Sequence, residues 1–306
     1  MLTLILNIMQ MNILITCLNF KGLTGSELYF YDLACGLKML GHKVSILSNV
    51  KDGKLWIHAD RKGIKCFDFT QAPNDTFDII LASHRPVIDT LCKNNLYQST
   101  PIISINHSEI IPLEYPIIED RIIHYVAIRQ SIVDFLINKY FIPDDSVSLI
   151  YNPINTHKLL SVKKRIPKKK TVLFAGTVDY LRKESMLDLC KKANQEDFNL
   201  WFVGSVNGDN YLLPELNDRI SWEDSVWNIQ DYLAGATHTA GIQMGRTEIE
   251  GYFFGLESIR YTVNAEGKIQ EISEHKPPHL KLLFEDFSYI NVARKIEHLI
   301  STKLNK

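Results

Sequence analysis

Residues 11–48 read MNILITCLNFKGLTGSELYFYDLACGLKMLGHKVSILS, and this stretch decides the class of fold. Asn12–Cys17 is a short apolar run that predicts a buried strand, and a loop with two glycines follows it. Ser26–Leu40 predicts a helix, because a polar residue opens it and Gly41 stands where helices commonly end. Lys43–Ser48 predicts the next strand. Two strands joined by a helix form a βαβ unit, which requires a parallel sheet.

The rest of the chain repeats this alternation of strands and helices. Short apolar runs predict further strands at Asp78–Ala82, Pro101–Ile105, His124–Ile128, Thr171–Ala175, Asn199–Val203, Thr239–Gln243 and Ser258–Val263. Helices are predicted at Met186–Ala193, Trp227–Gly235, Thr247–Phe254 and Asp286–Leu304. The sequence therefore predicts an α/β protein with two similar halves. Ligands are expected beyond the carboxyl ends of the parallel strands.

Length and composition fit two soluble globular domains. The chain has 306 residues, of which 45% are hydrophobic and 23% are charged, which excludes disordered, collagen-like and disulfide-framed proteins. Its 34 basic and 35 acidic residues nearly balance, which disfavours a general polyanion binder. The five cysteines are scattered and never form a C-x-x-C pair. This argues against a zinc ribbon or a disulfide framework, and it predicts a reducing, cytoplasmic location.

A basic segment, Ser161–Lys170, predicts the boundary between the two domains. Six of the eight residues from 163 to 170 are basic, which fits a solvated linker; a nuclear-localisation or nucleic-acid patch is the alternative. Residues 11–160 and 171–306 are then the domains, with the option that the last helix crosses back to the first. Residues 1–10 are expected to be an upstream start or a local extension, since they are too short to cross a bilayer and lack the flanks of a signal peptide; an interfacial anchor is the alternative. No other segment reaches 18 apolar residues, so no integral membrane span is expected.

Three further pieces of sequence, together with residues 11–48, resemble a known family. PIISINHSE places His107 just after a predicted strand, IYNPINTHKL covers residues 150–159, and GRTEIEGYFFGLESIRYTV covers residues 245–263. In order and spacing these pieces are similar to the retaining enzymes of glycosyltransferase family 4, from Met11 to about residue 300. The resemblance implies two Rossmann-like domains facing a cleft, which is the GT-B architecture. The first domain would bind the acceptor and the second the donor.

The resemblance implies that the donor is a nucleotide-diphosphate sugar. Arg182 and Lys183 stand where the family has its basic diphosphate clamp, although Thr177 occupies the place of the usual arginine. The resemblance assigns Glu250 to the ribose hydroxyls, and Arg246 is expected to reach the phosphates. The alternatives are that Arg182 and Lys183 only open a helix and that Arg246 only caps a loop.

The start of the first predicted helix is a further candidate site. Gly25 and Ser26 would let the backbone approach the diphosphate or the reacting sugar. An ordinary turn between strand and helix is the alternative.

His107 and Glu248 are the predicted catalytic residues. By resemblance, His107 contacts the donor sugar near its reacting carbon. Ile242 replaces the glutamate that the family often carries eight residues before Glu250, so Glu248 or the backbone of residues 243–247 is expected to serve the sugar hydroxyls. An exposed helix surface is the alternative for Glu248, and it is the favoured one. His84, in ASHRP, is expected to belong to loop structure or to contact the acceptor.

The resemblance thus implies a retaining glycosyltransferase that uses a UDP- or GDP-sugar as co-substrate and needs no cofactor, and the chain is expected to hold no metal ion. No motif with metal-ligand spacing is present in the sequence. The acceptor is left open between a glycan, a lipid, a protein and a modified nucleobase, and only the last would make nucleic acid a partner. Leu28–Asp32 and Glu109–Tyr115 are candidates for lining the acceptor site.

Other functions are compatible with the same fold. A catalytically degenerate protein that only binds nucleotide sugars and a sugar-nucleotide epimerase are the alternatives. A Rossmann oxidoreductase is disfavoured, because Gly22 and Gly25 do not complete a G-x-G-x-x-G fingerprint.

Overall fold

The computed structural model describes residues 10–50, 53–94, 96–109, 113–263 and 269–305, and these form two compact units. The first unit contains residues 10–22, 29–153 and 289–305, and the second contains residues 23–28 and 154–288. Each unit is built on one mainly parallel sheet with helices between its strands, which confirms the predicted α/β class. Apart from Gln10, the predicted N-terminal extension lies outside the described residues.

Seven parallel strands form the first sheet, in the order β3-β2-β1-β4-β5-β6-β7. They are β1 (Asn12–Cys17), β2 (Lys43–Ser48), β3 (Lys65–Asp68), β4 (Ile79–Ser83), β5 (Ile102–Asn106), β6 (Ile122–Ala127) and β7 (Val147–Leu149). The central strands β1, β4 and β5 are buried almost throughout, as expected for parallel strands covered on both faces. Because these strands are parallel, their carboxyl ends lie at one edge of the sheet.

Four helices follow strands of the first sheet in the chain. They are α1 (Gly25–Met39), α2 (Lys54–Arg61), α3 (Arg85–Lys93) and α4 (Gln130–Asp134). The sequence does not predict α3, because the ASHRP stretch is typical of a loop. Pro86 lies in the first turn of α3, where a missing N–H costs little. His84 precedes the helix with a φ of 67°, in the left-handed region that side chains disfavour.

Six strands form the second sheet, in the order β10-β9-β8-β11-β12-β13. They are β8 (Thr171–Ala175), β9 (Asn199–Val203), β10 (Ile220–Glu223), β11 (His238–Ile242), β12 (Glu257–Val263) and β13 (Ile269–His275). The helices of this unit are α5 (Thr156–Leu160), α6 (Lys183–Glu196), α7 (Ile229–Leu233), α8 (Arg246–Phe253) and α9 (Leu280–Phe287). All neighbouring strands are parallel except β13, which runs antiparallel to β12. The sequence did not predict β10 or β13.

The chain passes from the first unit to the second between Pro153 and Ile154, and not in the basic segment. The basic segment, residues 161–170, lies inside the second unit and is attached to it through Arg165. The main-chain N–H of Arg165 donates to the carbonyl of Ala234 at 2.7 Å, and its guanidinium donates to the carbonyl of Asp231 at 2.5 Å.

The helix predicted over residues 286–304 is in fact two helices. Ser288 separates them with a φ of −56° and a ψ of 126°, which ends α9 and starts α10 (Tyr289–Leu304). The helix α10 belongs to the first unit. Its Glu297 Oε1 lies 3.0 Å from His42 Nε2, just after α1. A side chain at Gly36 would place its Cβ 2.6 Å from the carbonyl oxygen of Tyr289, so α10 packs directly on the backbone of α1.

Replacing Gly36 by alanine is therefore expected to destabilise the first unit. The added Cβ would also lie 2.9 Å from the Cβ of Ala293, so α1 and α10 must separate. Overpacking of this kind costs about 1–3 kcal/mol, measurable as a lower urea midpoint of unfolding. Gly25→Ala is the matched control, because it lies in the same helix and a side chain there meets nothing within 4 Å. Equal midpoints for the two variants would contradict this packing.

Within the residues that the structure describes, no helix is long and apolar enough to cross a membrane. Within the same ranges, no three His, Cys, Asp or Glu side chains are grouped so that they could hold a metal ion. All five cysteines are free thiols.

Candidate functional site

The turn from β11 to α8, at the carboxyl edge of the second sheet, leaves its main chain accessible. A side chain added at Gly241 or at Gly245 would meet nothing within 4 Å. Between them, Gln243 adopts a φ of 57°, held by a 2.8 Å hydrogen bond from its N–H to the carbonyl of Tyr261. Such left-handed backbone is costly for a residue with a side chain, and it is often retained at binding sites.

Arg182 lies at the same edge of the second sheet, at the end of β8. A Cβ on Gly176 would lie 3.4 Å from the Nε of Arg182, so the guanidinium rests against this glycine. Thr247, in the first turn of α8, donates from its hydroxyl to the carbonyl of Ala175 at 3.3 Å. Arg182 and the N-terminal turn of α8 thus each contact the chain at the end of β8, at the neighbouring residues Gly176 and Ala175. A cationic side chain beside a helix N-terminus is a favourable environment for an anion.

Lys183 joins this cluster through residues that the sequence did not identify. Its Nζ lies 5.7 Å from the centre of the Tyr211 ring. The Tyr211 hydroxyl donates to the carbonyl of Asp179 at 2.9 Å, and the Asp179 carboxylate forms an ion pair with Arg182. Asp179 is therefore linked to Arg182 through its carboxylate and to Tyr211, the ring that Lys183 approaches, through its main-chain carbonyl.

Arg246 and Glu250 bind each other one turn apart on α8. The Arg246 Nε donates to Glu250 Oε1 at 2.8 Å, and the two side chains are only 11% and 6% exposed. Their charges cancel within the pair. Their assignments to the phosphates and the ribose stay predictions.

Glu248 is buried at 7% exposure, so the alternative interpretation of an exposed helix surface is wrong. Its carboxylate accepts hydrogen bonds from the hydroxyl of Tyr252, from Ser258 Oγ at 2.8 Å and from the guanidinium of Arg260. Both oxygens are used, because the Arg260 Nε also donates to Oε2 at 3.2 Å. Glu248 therefore connects α8 to β12. Its assignment to sugar hydroxyls stays a prediction, and it would compete with these bonds.

The start of α1, where Gly25 and Ser26 lie, carries its own acidic cap. The main-chain N–H and the hydroxyl of Thr24 donate to Glu27 Oε2 at 3.2 and 2.8 Å, and Glu27 is 4% exposed. A carboxylate at a helix N-terminus takes the place that a phosphate would use and repels a second anion. The open space next to Gly25 suits an uncharged ligand group better.

In the first unit, His107 follows β5 and is surrounded by rings. The rings of Tyr29 and Phe30 meet it edge-on at 4.8 and 5.4 Å, and the ring of His84 stacks on it at 5.7 Å. Its Nε2 atom is buried and has no hydrogen-bond partner. Burial lowers the pKa of the His107 imidazole well below its ordinary value, and His84 and Arg129 lower it further. At neutral pH this ring is an uncharged hydrogen-bonding group.

Leu28–Asp32 and Glu109–Tyr115 are the two stretches predicted to line an acceptor site. Residues 29–32 are buried, and Tyr29 and Phe30 pack against His107 instead of forming a surface. In the stretch Glu109–Tyr115, residues 110–112 lie outside the described residues.

Glu114 is a part of the site that the sequence did not identify. It is 3% exposed, accepts a hydrogen bond from the main-chain N–H of His107, and places Oε1 3.7 Å from the Nε2 of His84. Burial raises the pKa of Glu114 to about 8, although the His107 hydrogen bond and Arg129 oppose the shift. His84 Nδ1 lies 2.9 Å from Ser83 Oγ. His84 is therefore a buried part of this cluster.

The raised pKa of Glu114 predicts a loss of stability as the pH rises. The buried carboxyl favours folding fully below its unfolded pKa of 4.5, and this contribution is lost as the pH approaches its folded pKa of about 8. Relative to Glu114→Gln, the wild type should lose on the order of 3 kcal/mol of unfolding free energy between pH 5 and pH 8. Urea unfolding of both proteins at pH 5, 6.5 and 8 measures this. Parallel pH profiles would show that Glu114 is ionised in the folded protein.

The sequence matches no protein-family model, and no curated protein matches it at a significant level. Solved structures do share its fold. HepE of Anabaena, in complex with UDP-glucose, superposes with a TM-score of 0.75 at 14% identity, and the match covers 96% of this chain and 100% of that one. A glycosyltransferase from Rickettsia africae has a TM-score of 0.65 at 14% identity, with 97% and 99% covered.

An enzyme of another class has a similar structure. UDP-N-acetylglucosamine 2-epimerase from Rickettsia bellii has a TM-score of 0.58 at 12% identity, with 97% of this chain and 98% of that chain covered. At these identities the likeness establishes the fold. The chain has the GT-B fold of two Rossmann-like domains, which confirms the predicted architecture.

Proposed function

We propose that this protein is a glycosyltransferase that takes its sugar from a nucleotide-diphosphate sugar. The observation that carries the proposal is the cluster at the carboxyl edge of the second sheet, where Arg182 lies against Gly176 and the first turn of α8 is hydrogen-bonded to Ala175. This edge is where open α/β sheets bind their ligands. The shared fold supports the assignment, because HepE binds UDP-glucose and matches 96% of this chain.

In this proposal, the second unit binds the nucleotide part of the donor. Arg182 and Lys183 bind the diphosphate, and Arg182 exchanges its ion pair with Asp179 for phosphate oxygens. A guanidinium suits this task because it donates two parallel hydrogen bonds to a phosphate. Glu250 binds the ribose hydroxyls, with Arg246 turned toward the phosphates.

We infer that the transfer retains the configuration of the sugar. The bond between the anomeric carbon and the diphosphate breaks, an acceptor hydroxyl oxygen forms the new bond on the same face, and its proton passes to a donor phosphate oxygen. The protein then contributes positioning and stabilisation of the leaving diphosphate. The cations of Arg182 and Lys183 take that second role without a metal ion, and the neutral His107 hydrogen-bonds the donor sugar.

A sugar-nucleotide epimerase is the second candidate function. The observation in its favour is the shared fold with the Rickettsia bellii epimerase over 97% of this chain. An epimerase would act on a nucleotide sugar without any acceptor, so product analysis separates the two candidates.

The test is a panel of UDP- and GDP-sugars, read out by thermal shift, by nucleotide release and by NMR of the sugar product. We expect UDP or GDP to raise the Tm and one nucleotide sugar to be turned over with retained configuration. A changed sugar epimer still attached to its nucleotide would favour the epimerase. Stabilisation by NAD alone would overturn both proposals, and binding without any turnover would indicate a degenerate binding protein.

A further inference from the structure

The carboxyl of Glu114 connects the two histidines at the carboxyl edge of the first sheet. It accepts the main-chain N–H of His107, which follows β5, and it faces the imidazole of His84, which follows β4, at 3.7 Å. The two histidine rings stack on each other at 5.7 Å with an angle of 27° between their planes. One buried side chain therefore contacts the main chain of one histidine and the ring of the other.

The segment that carries Glu114 is itself anchored to the first turn of α3. The carbonyl of Leu113 accepts the N–H of Arg85 at 2.8 Å. On the other side of Glu114, the ring of Tyr115 receives the guanidinium of Arg85 at 4.5 Å from its centre. Glu114 is therefore held from both sides, and its position relative to His84 is determined by the main chain.

We propose that Glu114 is a positioning residue, which with His84 fixes the imidazole of His107 so that its buried Nε2 remains available to a ligand. The proposal rests on the proposed function only for what that ligand is, namely the donor sugar. The left-handed backbone of His84, with a φ of 67°, fits such a role, because it turns this ring onto His107 at a conformational cost.

The charges around Glu114 determine how the cluster responds to pH. The groups that face it are the imidazole of His84, the guanidinium of Arg129, the carboxylate of Glu109 and the main-chain N–H of His107. Arg129 and Glu109 form an ion pair with each other, so their charges largely cancel. Ionisation of Glu114 near pH 8 therefore introduces a negative charge beside the two imidazoles. It should change the environment of His107 at a pH where His107 itself does not titrate.

The first test compares Glu114→Ala, Glu114→Gln and the control Asp120→Ala, which removes an exposed carboxylate from the same loop. We expect Glu114→Ala to lower kcat at least 10-fold with a donor KM within 3-fold of the wild type. Glu114→Gln keeps a carbonyl acceptor for the His107 N–H, so it should recover most of kcat at pH 7. It should also lack the decrease in kcat that the wild type shows as the pH rises through 8 and Glu114 ionises. A wild-type kcat in Glu114→Ala would overturn the proposal.

The second test does not need turnover. The imidazole NMR signals of His107 should shift through pH 8 in the wild type and stay constant over that range in Glu114→Gln. Identical titrations of the two proteins would overturn the proposal, even where Glu114→Ala does not fold. A wild type that turns over no nucleotide sugar would instead refute the proposed function, and the NMR comparison would still decide the role of Glu114.

Discussion

Replacing Arg182 by alanine is expected to weaken the binding of UDP or GDP by roughly 10- to 100-fold. A charge-assisted hydrogen bond contributes about 1.5–3 kcal/mol, and each 1.4 kcal/mol is a factor of 10 in affinity. The variant also leaves the Asp179 carboxylate without its guanidinium partner beside the phosphates, which adds repulsion. Isothermal titration with UDP and GDP at low and moderate salt measures the affinities of the wild type and of Arg182→Ala. The ratio of the two affinities should become smaller at higher salt, because salt screens the charges.

Two control variants show whether the loss of nucleotide affinity is specific to the Arg182 side chain. Arg219→Ala removes an arginine of similar exposure, 45% against 36%, but Arg219 precedes β10 and so lies at the amino end of that strand. It should bind the nucleotide like the wild type. Asp179→Asn removes the competing carboxylate and keeps a side-chain acceptor for the N–H of Arg182, so its affinity should stay equal or rise. A normal affinity in Arg182→Ala, or equal losses in Arg182→Ala and Arg219→Ala, would remove Arg182 from the nucleotide site.

The central strands of both sheets could be predicted from sequence because their burial is nearly complete. Asn12–Cys17, Lys43–Ser48 and Asn199–Val203 were predicted with the bounds that the structure shows. Buried parallel strands are short continuous apolar runs, which are visible in the sequence. β13, the antiparallel edge strand with the sequence IQEISEH, is largely polar and lacks this signal. It forms by pairing with β12, which is a tertiary contact.

In the candidate site, too, residues with a local sequence signal could be predicted, and residues whose role depends on tertiary contacts could not. Arg182 and Lys183 could be proposed from the sequence, because their order along the chain resembles a family pattern and because a basic pair after a buried strand is visible in sequence. Glu114 could not be found, since a single glutamate in a loop carries no periodicity, and its role depends on burial against His84 and His107. For Glu248, the sequence allows an interpretation that the structure shows to be wrong. Its helix position permitted an exposed surface, but Arg260, on the neighbouring β12, draws its carboxylate inward.

Replacing His107 by alanine is expected to lower kcat by roughly 10²-fold, which is the usual effect of removing one hydrogen bond to the reacting groups. The dissociation constant for UDP or GDP should change less than about threefold, because the groups proposed for the nucleotide belong to the second unit. Since burial keeps the pKa of His107 well below its ordinary value, wild-type kcat should not fall as the pH decreases from 8 to 6.5.

Three comparisons decide whether the loss of kcat in His107→Ala comes from the His107 side chain itself. His107→Gln places an amide near the position of Nε2 and should recover part of kcat, because Nε2 is the atom that has no partner in the protein. His298→Ala removes an exposed histidine from α10 and should leave kcat unchanged. Near-UV circular dichroism of His107→Ala should match the wild type, which shows that the packing of Tyr29 and Phe30 survives. If kcat of His107→Ala equals that of the wild type, or if nucleotide affinity falls in parallel with kcat, then His107 does not act on the donor sugar.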